Sequence, residues 1–187
     1  MGLFLLPVFL TVSHRMVPFF SSVVLQPYVV WRPYSLLYAW TGLSLAHGAL
    51  AIGALFSSYA NTALPDFVFA GLLLWTSVRW QWRRSFRVPL LGMLHASFAW
   101  AGIALLLYAL QAAAAAGGVY LGGLAPLHAL TIGFFCSMLL AFVTRVTLGH
   151  SGRPLLIGRV TAVLYWLVHG VALTRIAAEF LPAQASL

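Results

Sequence analysis

Residues 88–110 read VPLLGMLHASFAWAGIALLLYAL, with Arg87 before them and Gln111 after. The run carries no Lys, Arg, Asp or Glu. At a rise of 1.5 Å per residue it reaches about 35 Å, enough to cross a hydrocarbon core of roughly 30 Å as a helix. Four further predominantly apolar stretches long enough to cross surround it: Ser35–Ser57, Ala63–Trp80, Leu124–Thr144 and Pro154–Ala177. A sixth, Leu3–Val12, is apolar but short. Arg15 cuts it, and Pro18 is expected to kink or end its helix. The expected fold is therefore all-α: a polytopic integral membrane helix bundle of about six transmembrane helices, the first short or incomplete. It forms a single membrane domain over residues 1–187, with no soluble domain or linker.

Composition agrees. Of the 187 residues 63% are hydrophobic and 6% charged, and the mean hydropathy is +0.99. So few charges would not keep a soluble domain dispersed. Only Asp66 and Glu179 are acidic, all ten basic residues are Arg, and the net charge is +8. That charge does not indicate nucleic acid, because the arginines gather at span ends, where positive charge orients a membrane protein. Arg15 and Arg32 precede the second span, Arg79, Arg83, Arg84 and Arg87 fill the third link, and Arg145 and Arg153 flank the fifth. The alternate links, 58–62 and 111–123, carry no Arg. All arginine-bearing links (15–32, 79–87, 145–153) fall on one side, which the positive-inside rule assigns to the cytoplasm. Arg175, close to Glu179, is the exception. The N-terminus has neither the charged n-region nor the cleavage site of a signal peptide. Cys136 is expected as a small buried apolar group. Trp31, Tyr34, Trp80 and Trp82 at span ends read as interface anchors. Gly133 with Ser137, and Gly48 with Gly53, let helices approach closely.

Against this apolar background stand six histidines. His47, His95, His128 and His169 lie inside spans, while His14 and His150 lie beside arginines at span ends. An ionisable ring in hydrocarbon is costly unless something binds or satisfies it, and imidazole is a common metal ligand and haem-iron ligand. From the arginine-rich side, His47 lies about 18 Å deep, His169 about 21 Å and His128 about 24 Å, with His95 at about 10 Å. The first three thus suit one layer in the outer half, and His14, His95 and His150 an inner one. Ser44 and Tyr165 are local hydrogen-bond partners for His47 and His169. No carboxylate is expected within the spans to pair these rings, which argues against a zinc hydrolase or a carboxylate-based pump. Bis-imidazole haem and copper both suit such histidines. Arginine forks suit carboxylates or phosphates, including haem propionates.

One stretch is more specific. His128-Ala129-Leu130-Thr131-Ile132-Gly133 runs through Ser137-Met138-Leu139-Leu140-Ala141-Phe142-Val143-Thr144-Arg145 into Gly149-His150-Ser151-Gly152-Arg153-Pro154-Leu155. It resembles the signature of the NnrS family, bacterial inner-membrane proteins associated with haem, copper and the response to nitric oxide. Arg15-Met16-Val17-Pro18-Phe19-Phe20, and Arg87-Val88-Pro89-Leu90-Leu91 with His95 and Trp100 following, are similar to the same family. The chain departs from the pattern at Cys136, where a small residue such as Gly is usual, and at Ser151, where Thr is usual. The resemblance implies a larger bundle of roughly twelve spans, of which this chain matches the second half, with a second chain or a further copy supplying the missing spans.

The resemblance implies haem or copper bound in the bacterial inner membrane. His128 and His150 are the first candidate cofactor residues, with His47, His169, His95, Arg145 and Arg153 beside them. The metal candidates are His128, His47, His169 and His14. No nucleophile, acid and base constellation marks a catalytic reaction. The alternatives are a transporter or exporter subunit with a histidine-lined polar path, or an inactive fragment that needs its partner half.

Overall fold

The structure is a computed structural model and describes residues 3–54, 59–152 and 154–181. The described residues form seven helices: α1 (Leu5–Val24), α2 (Tyr34–Gly53), α3 (Ala63–Arg79), α4 (Trp82–Ser85), α5 (Pro89–Ala116), α6 (Ala125–His150) and α7 (Arg159–Ala178). A 3-10 turn, Tyr59–Thr62, leads into α3. Four helices, α2, α5, α6 and α7, are long and apolar enough to cross a membrane. The all-α membrane bundle expected from the apolar runs is what forms.

Side-chain contacts set the register. Gly48 of α2 meets Leu3, while His14 of α1 meets Pro33 just before α2, so these two helices run antiparallel. Gly102 of α5 meets Leu74 of α3, and Tyr108 of α5 meets His47 of α2. Ser97 of α5 bonds both Ser137 of α6 and Tyr165 of α7. α5 is the central helix, and at 28 residues it is also the longest. Pro89 at its first turn has no N–H to leave unsatisfied, and Gly118, with φ +74°, supplies the left-handed residue past its end. The alanine run 112–116 belongs to this helix.

Several details differ from the sequence expectations. α1 is a full 20-residue helix that passes through both Arg15 and Pro18. Arg15 points outward and does not interrupt it; one charged side chain on a helix surface can extend its head toward water. Trp80 is not an interface anchor. It is fully buried, meets Trp40 edge-to-face at 5.8 Å and Phe98 at a tilt at 4.8 Å between ring centres, and donates its indole N–H to the Trp31 carbonyl at 2.9 Å. Most buried indoles have such a partner; that of the adjacent Trp40 has none. Cys136 is exposed rather than buried.

The interior of α6 is wound wide as a π-helix over Ala129–Cys136. Such a segment changes which face the following residues present, and it is found often at functional sites. Here it leaves Gly133 against the Trp100 ring and Ser137 against Ser97. Of the two expected glycine contacts on α2, Gly48 packs closely and Gly53 has open space.

A Cβ on Gly133 would stand 2.6 Å from the Trp100 ring, whereas one on Gly42 would meet nothing within 4 Å. Gly133→Ala is therefore expected to destabilise the bundle by about 1–3 kcal/mol, the usual cost of overpacking. Thermal unfolding in detergent checks this, with Gly42→Ala expected to leave the midpoint unchanged or raised.

Candidate functional site

The expectation that no carboxylate pairs the spanning histidines is overturned, for both acids of the chain are engaged with them. Asp66 sits in the first turn of α3, where the helix dipole favours a negative charge. Its Oδ1 lies 2.7 Å from His47 Nδ1, and the two side chains are 1% and 7% exposed. A carboxylate accepts only, so His47 donates Nδ1–H. A neutral imidazole so held keeps its lone pair on Nε2. The His47 ring also meets Tyr108 edge-on, with centroids 4.9 Å apart. Ser44, the expected local partner, instead donates to the Trp40 carbonyl.

The second pair is at the edge of the bundle. His128 Nε2 lies 3.2 Å from Glu179 Oε1, and Glu179 Oε2 accepts the Leu124 backbone N–H at 3.0 Å. Arg175 stands 3.4 Å from the same His128 nitrogen. One nitrogen cannot both donate and accept, so the shorter contact puts the proton on Nε2, and Arg175 serves as a cation facing Glu179. The Leu124 amide first, with His128 and Arg175 adding, holds the Glu179 carboxyl below its ordinary range.

The remaining histidines have weaker partners. His95 is buried on α5, with Nε2 2.9 Å from Ser21 Oγ. Ser21 spends its own proton on the Val17 carbonyl, so His95 donates and keeps a bare, buried Nδ1 without a partner. His14 donates Nε2–H to the Pro33 carbonyl at 3.1 Å. His150 donates Nδ1–H to the Val146 carbonyl at 3.0 Å and is exposed. His169 has no hydrogen-bond partner on either nitrogen. It is 6% exposed and boxed by Trp100, Tyr165 and Trp166, with centroids 4.5–6.2 Å away. Tyr165, its expected local partner, donates instead to the Met93 carbonyl.

Arg145 is buried with its Nε unpartnered, and its guanidinium lies over the Phe20 ring at 4.1 Å. Together with His150 it lines an open groove of about 280 Å³. Arg153 lies outside the described residues.

The bundle spreads its histidines. Tyr108, against His47, and Trp100, against His169, stand eight residues apart on α5, about 12 Å along the axis. His128 lies near the far end of α5, where Gln111 donates to the carbonyls of Leu121 and Gly123. Among the described residues no three His, Cys, Asp or Glu side chains converge on a point that would hold an ion. What the structure offers is single imidazoles, two of them fixed by a carboxylate.

Fold and site together define a polytopic helical membrane protein with buried, individually oriented histidines. The chain belongs to the NnrS family: the NnrS protein family matches residues 1–187, its whole length. No curated protein and no solved structure matches it.

The Glu179 clamp makes a pH prediction. Because folding lowers this pKa, the clamp stabilises fully above the ordinary carboxylate value of about 4.3 and is lost as pH falls through the lowered one. Hydrogen-exchange protection of the Leu124 amide is expected to fall over that acid range. In Glu179→Gln, protection is expected to be weaker at neutral pH and flat across the same range.

Proposed function

We propose that this protein is a haem-binding member of the NnrS family, acting in the bacterial inner membrane in the response to nitric oxide. The observation that carries the reading is His47 donating Nδ1–H to a buried Asp66 at 2.7 Å. A metal-bound histidine characteristically donates its other ring N–H to a carboxylate, carbonyl or water. Such a partner fixes the tautomer, orients the ring and raises its basicity. His169 adds an imidazole with both nitrogens unpartnered in an aromatic box. Such a ring is costly in hydrocarbon unless ligation occupies it.

Separate imidazoles suit haem better than an all-protein metal cage. Haem iron takes four bonds from its porphyrin and asks one or two from the protein. His47 and His169 are the ligands this reading favours, with His128, His95 and His150 as further imidazoles and Arg145 as a partner for propionate. The described part of the Gly149–Leu155 turn brings His150 beside that arginine; Arg153 is assigned the same role from sequence alone. Copper would need several imidazoles, so its ligand set draws on a partner half or a second copy. When bound, haem supplies an iron centre able to bind nitric oxide. The residues of this chain hold the ring nitrogens in place and exclude water. His14 is set aside as a metal ligand because Arg15 and Arg32 stand beside it. The arginine-bearing links 15–32, 79–87 and 145–153 face the cytoplasm in this reading.

Protein purified from haem-replete cells is expected to show a Soret band. His47→Ala is expected to abolish it or reduce it severalfold. Asp66→Asn, which keeps a side-chain acceptor but removes its charge, is expected to retain haem and raise its reduction potential. Cells lacking the protein are expected to grow more slowly under nitric oxide, with rescue by the wild type and not by His47→Ala. A colourless protein from such cells, or one whose spectrum ignores both substitutions, overturns the reading.

A further inference from the structure

Where α1 passes the start of α2, a cavity of about 360 Å³ is lined by Thr11, His14, Arg15, Arg32, Tyr34 and Leu37. Its chemistry is unlike that of the paired histidines. Two guanidiniums share it, and the chain has no acid to spare for either. Of its two carboxylates, Asp66 is taken by His47 and Glu179 by His128 and Leu124. His14 is 2% exposed. Its Nε2–H is spent on the Pro33 carbonyl, and its buried Nδ1 has no hydrogen-bond partner. The Trp40 ring stands perpendicular to the imidazole, with centroids 5.7 Å apart. Thr11 spends its hydroxyl proton on the Pro7 carbonyl at 2.8 Å, so its oxygen can only accept.

The donors in this cavity are therefore the forks of Arg15 and Arg32 and the Tyr34 hydroxyl. The acceptors are His14 Nδ1 and Thr11 Oγ1. Two arginines repel a metal cation and suit the paired oxygens of a phosphate. The two acceptors ask the same ligand for a hydroxyl. We propose that this cavity binds a phosphate group that carries or adjoins a hydroxyl, the chemistry shared by a phosphatidylglycerol headgroup and by inorganic phosphate. Arg15 and Arg32 hold the phosphate oxygens, and His14 Nδ1 accepts from the hydroxyl. The site is independent of haem binding.

The test uses the full chain in neutral detergent, probed with phosphatidylglycerol, phosphatidylcholine and inorganic phosphate. The readouts are thermal unfolding and native mass spectrometry. Phosphatidylglycerol is expected to raise the midpoint and be retained, and phosphatidylcholine is not. The double variant Arg15→Gln, Arg32→Gln is expected to weaken retention by about tenfold or more, as for loss of charge-assisted hydrogen bonds. The variant Arg83→Gln, Arg87→Gln, with the same charge change at exposed positions outside the cavity, is expected to keep it. If the first double variant does not fold, Tyr34→Phe and Thr11→Val serve, each expected to weaken retention severalfold. Protection by inorganic phosphate alone, lost in the same variants, assigns the site to a soluble phosphate and upholds the shared chemistry. The proposal is overturned if neither phosphate probe protects the wild type, or if the Arg83, Arg87 variant loses as much as the Arg15, Arg32 variant. An unchanged Soret band in the Arg15, Arg32 variant separates this result from any failure of the haem reading.

Discussion

A polar group inside a lipid bilayer has no water to complete its hydrogen bonds, so it finds a partner within the bundle or stays unsatisfied at a cost. In this chain the constraint is sharpened by scarcity, for there are two carboxylates against ten arginines and six histidines. Most small hydroxyls solve the problem locally. Ser13, Ser21, Ser44, Thr76 and Ser77 each donate to a carbonyl one helical turn back. His150 does the same, donating to the Val146 carbonyl, but the ring nitrogens of His14, His47, His95 and His128 reach past their own helix. They take the carboxylates, a carbonyl and a serine from neighbouring segments, and those cross-links tie α2 to α3, α6 to α7, and α1 to both α2 and α5.

The use of both acids at one end of the bundle makes the two ends chemically different. His47 and His128, at the arginine-poor end, face carboxylates. His95 and His14, deeper toward the arginine-rich end, face only a hydroxyl and a carbonyl. A carboxylate accepting an imidazole N–H gives the ring more anionic character than a neutral acceptor does, and so a stronger ligand on its other nitrogen. The arginine-rich end, with its positive charge unpaired by protein acids, is correspondingly suited to anions.

Spans were legible in the sequence because hydropathy is a property of a window, and the window that reads 88–110 as a crossing helix needs no partner to be right. Pairing was not legible, because it depends on register between helices. Asp66 stands 19 residues from His47 across a turn, with no periodicity linking them. A cue did exist: Asp66 falls at the start of an apolar stretch, where a buried acid needs a cationic or N–H partner, and His47 is the titratable residue of the preceding span. Glu179 carried a similar hint in its nearness to Arg175. Trp80 departs from the interface-anchor expectation for the complementary reason. A Trp at a span end is an interface anchor only where no neighbouring helix covers it, and here Trp40 and Phe98 do. The first helix outruns its apolar segment because one arginine lowers a window average without breaking a helix whose remaining faces are apolar. The wide turn over Ala129–Cys136 leaves no sequence mark, since every residue in it is also a normal helix residue.

That wide turn links the fold to the histidines. Gly133 lets Trp100 lie flush against α6, and Trp100 is one wall of the His169 box. Directly after the turn's end, the hydroxyl of Ser137 begins a chain through Ser97 and Tyr165 that ends on the Met93 carbonyl. Tyr165 is thereby committed to α5 through its oxygen while its ring supports His169. A tyrosine free to turn would offer His169 its hydroxyl, as their spacing on α7 suggests. Because the serines and the Met93 carbonyl occupy that hydroxyl, His169 is left with apolar ring faces and both nitrogens unsatisfied. The unpartnered state of His169 is therefore built by the surrounding structure rather than left by a lack of polar neighbours.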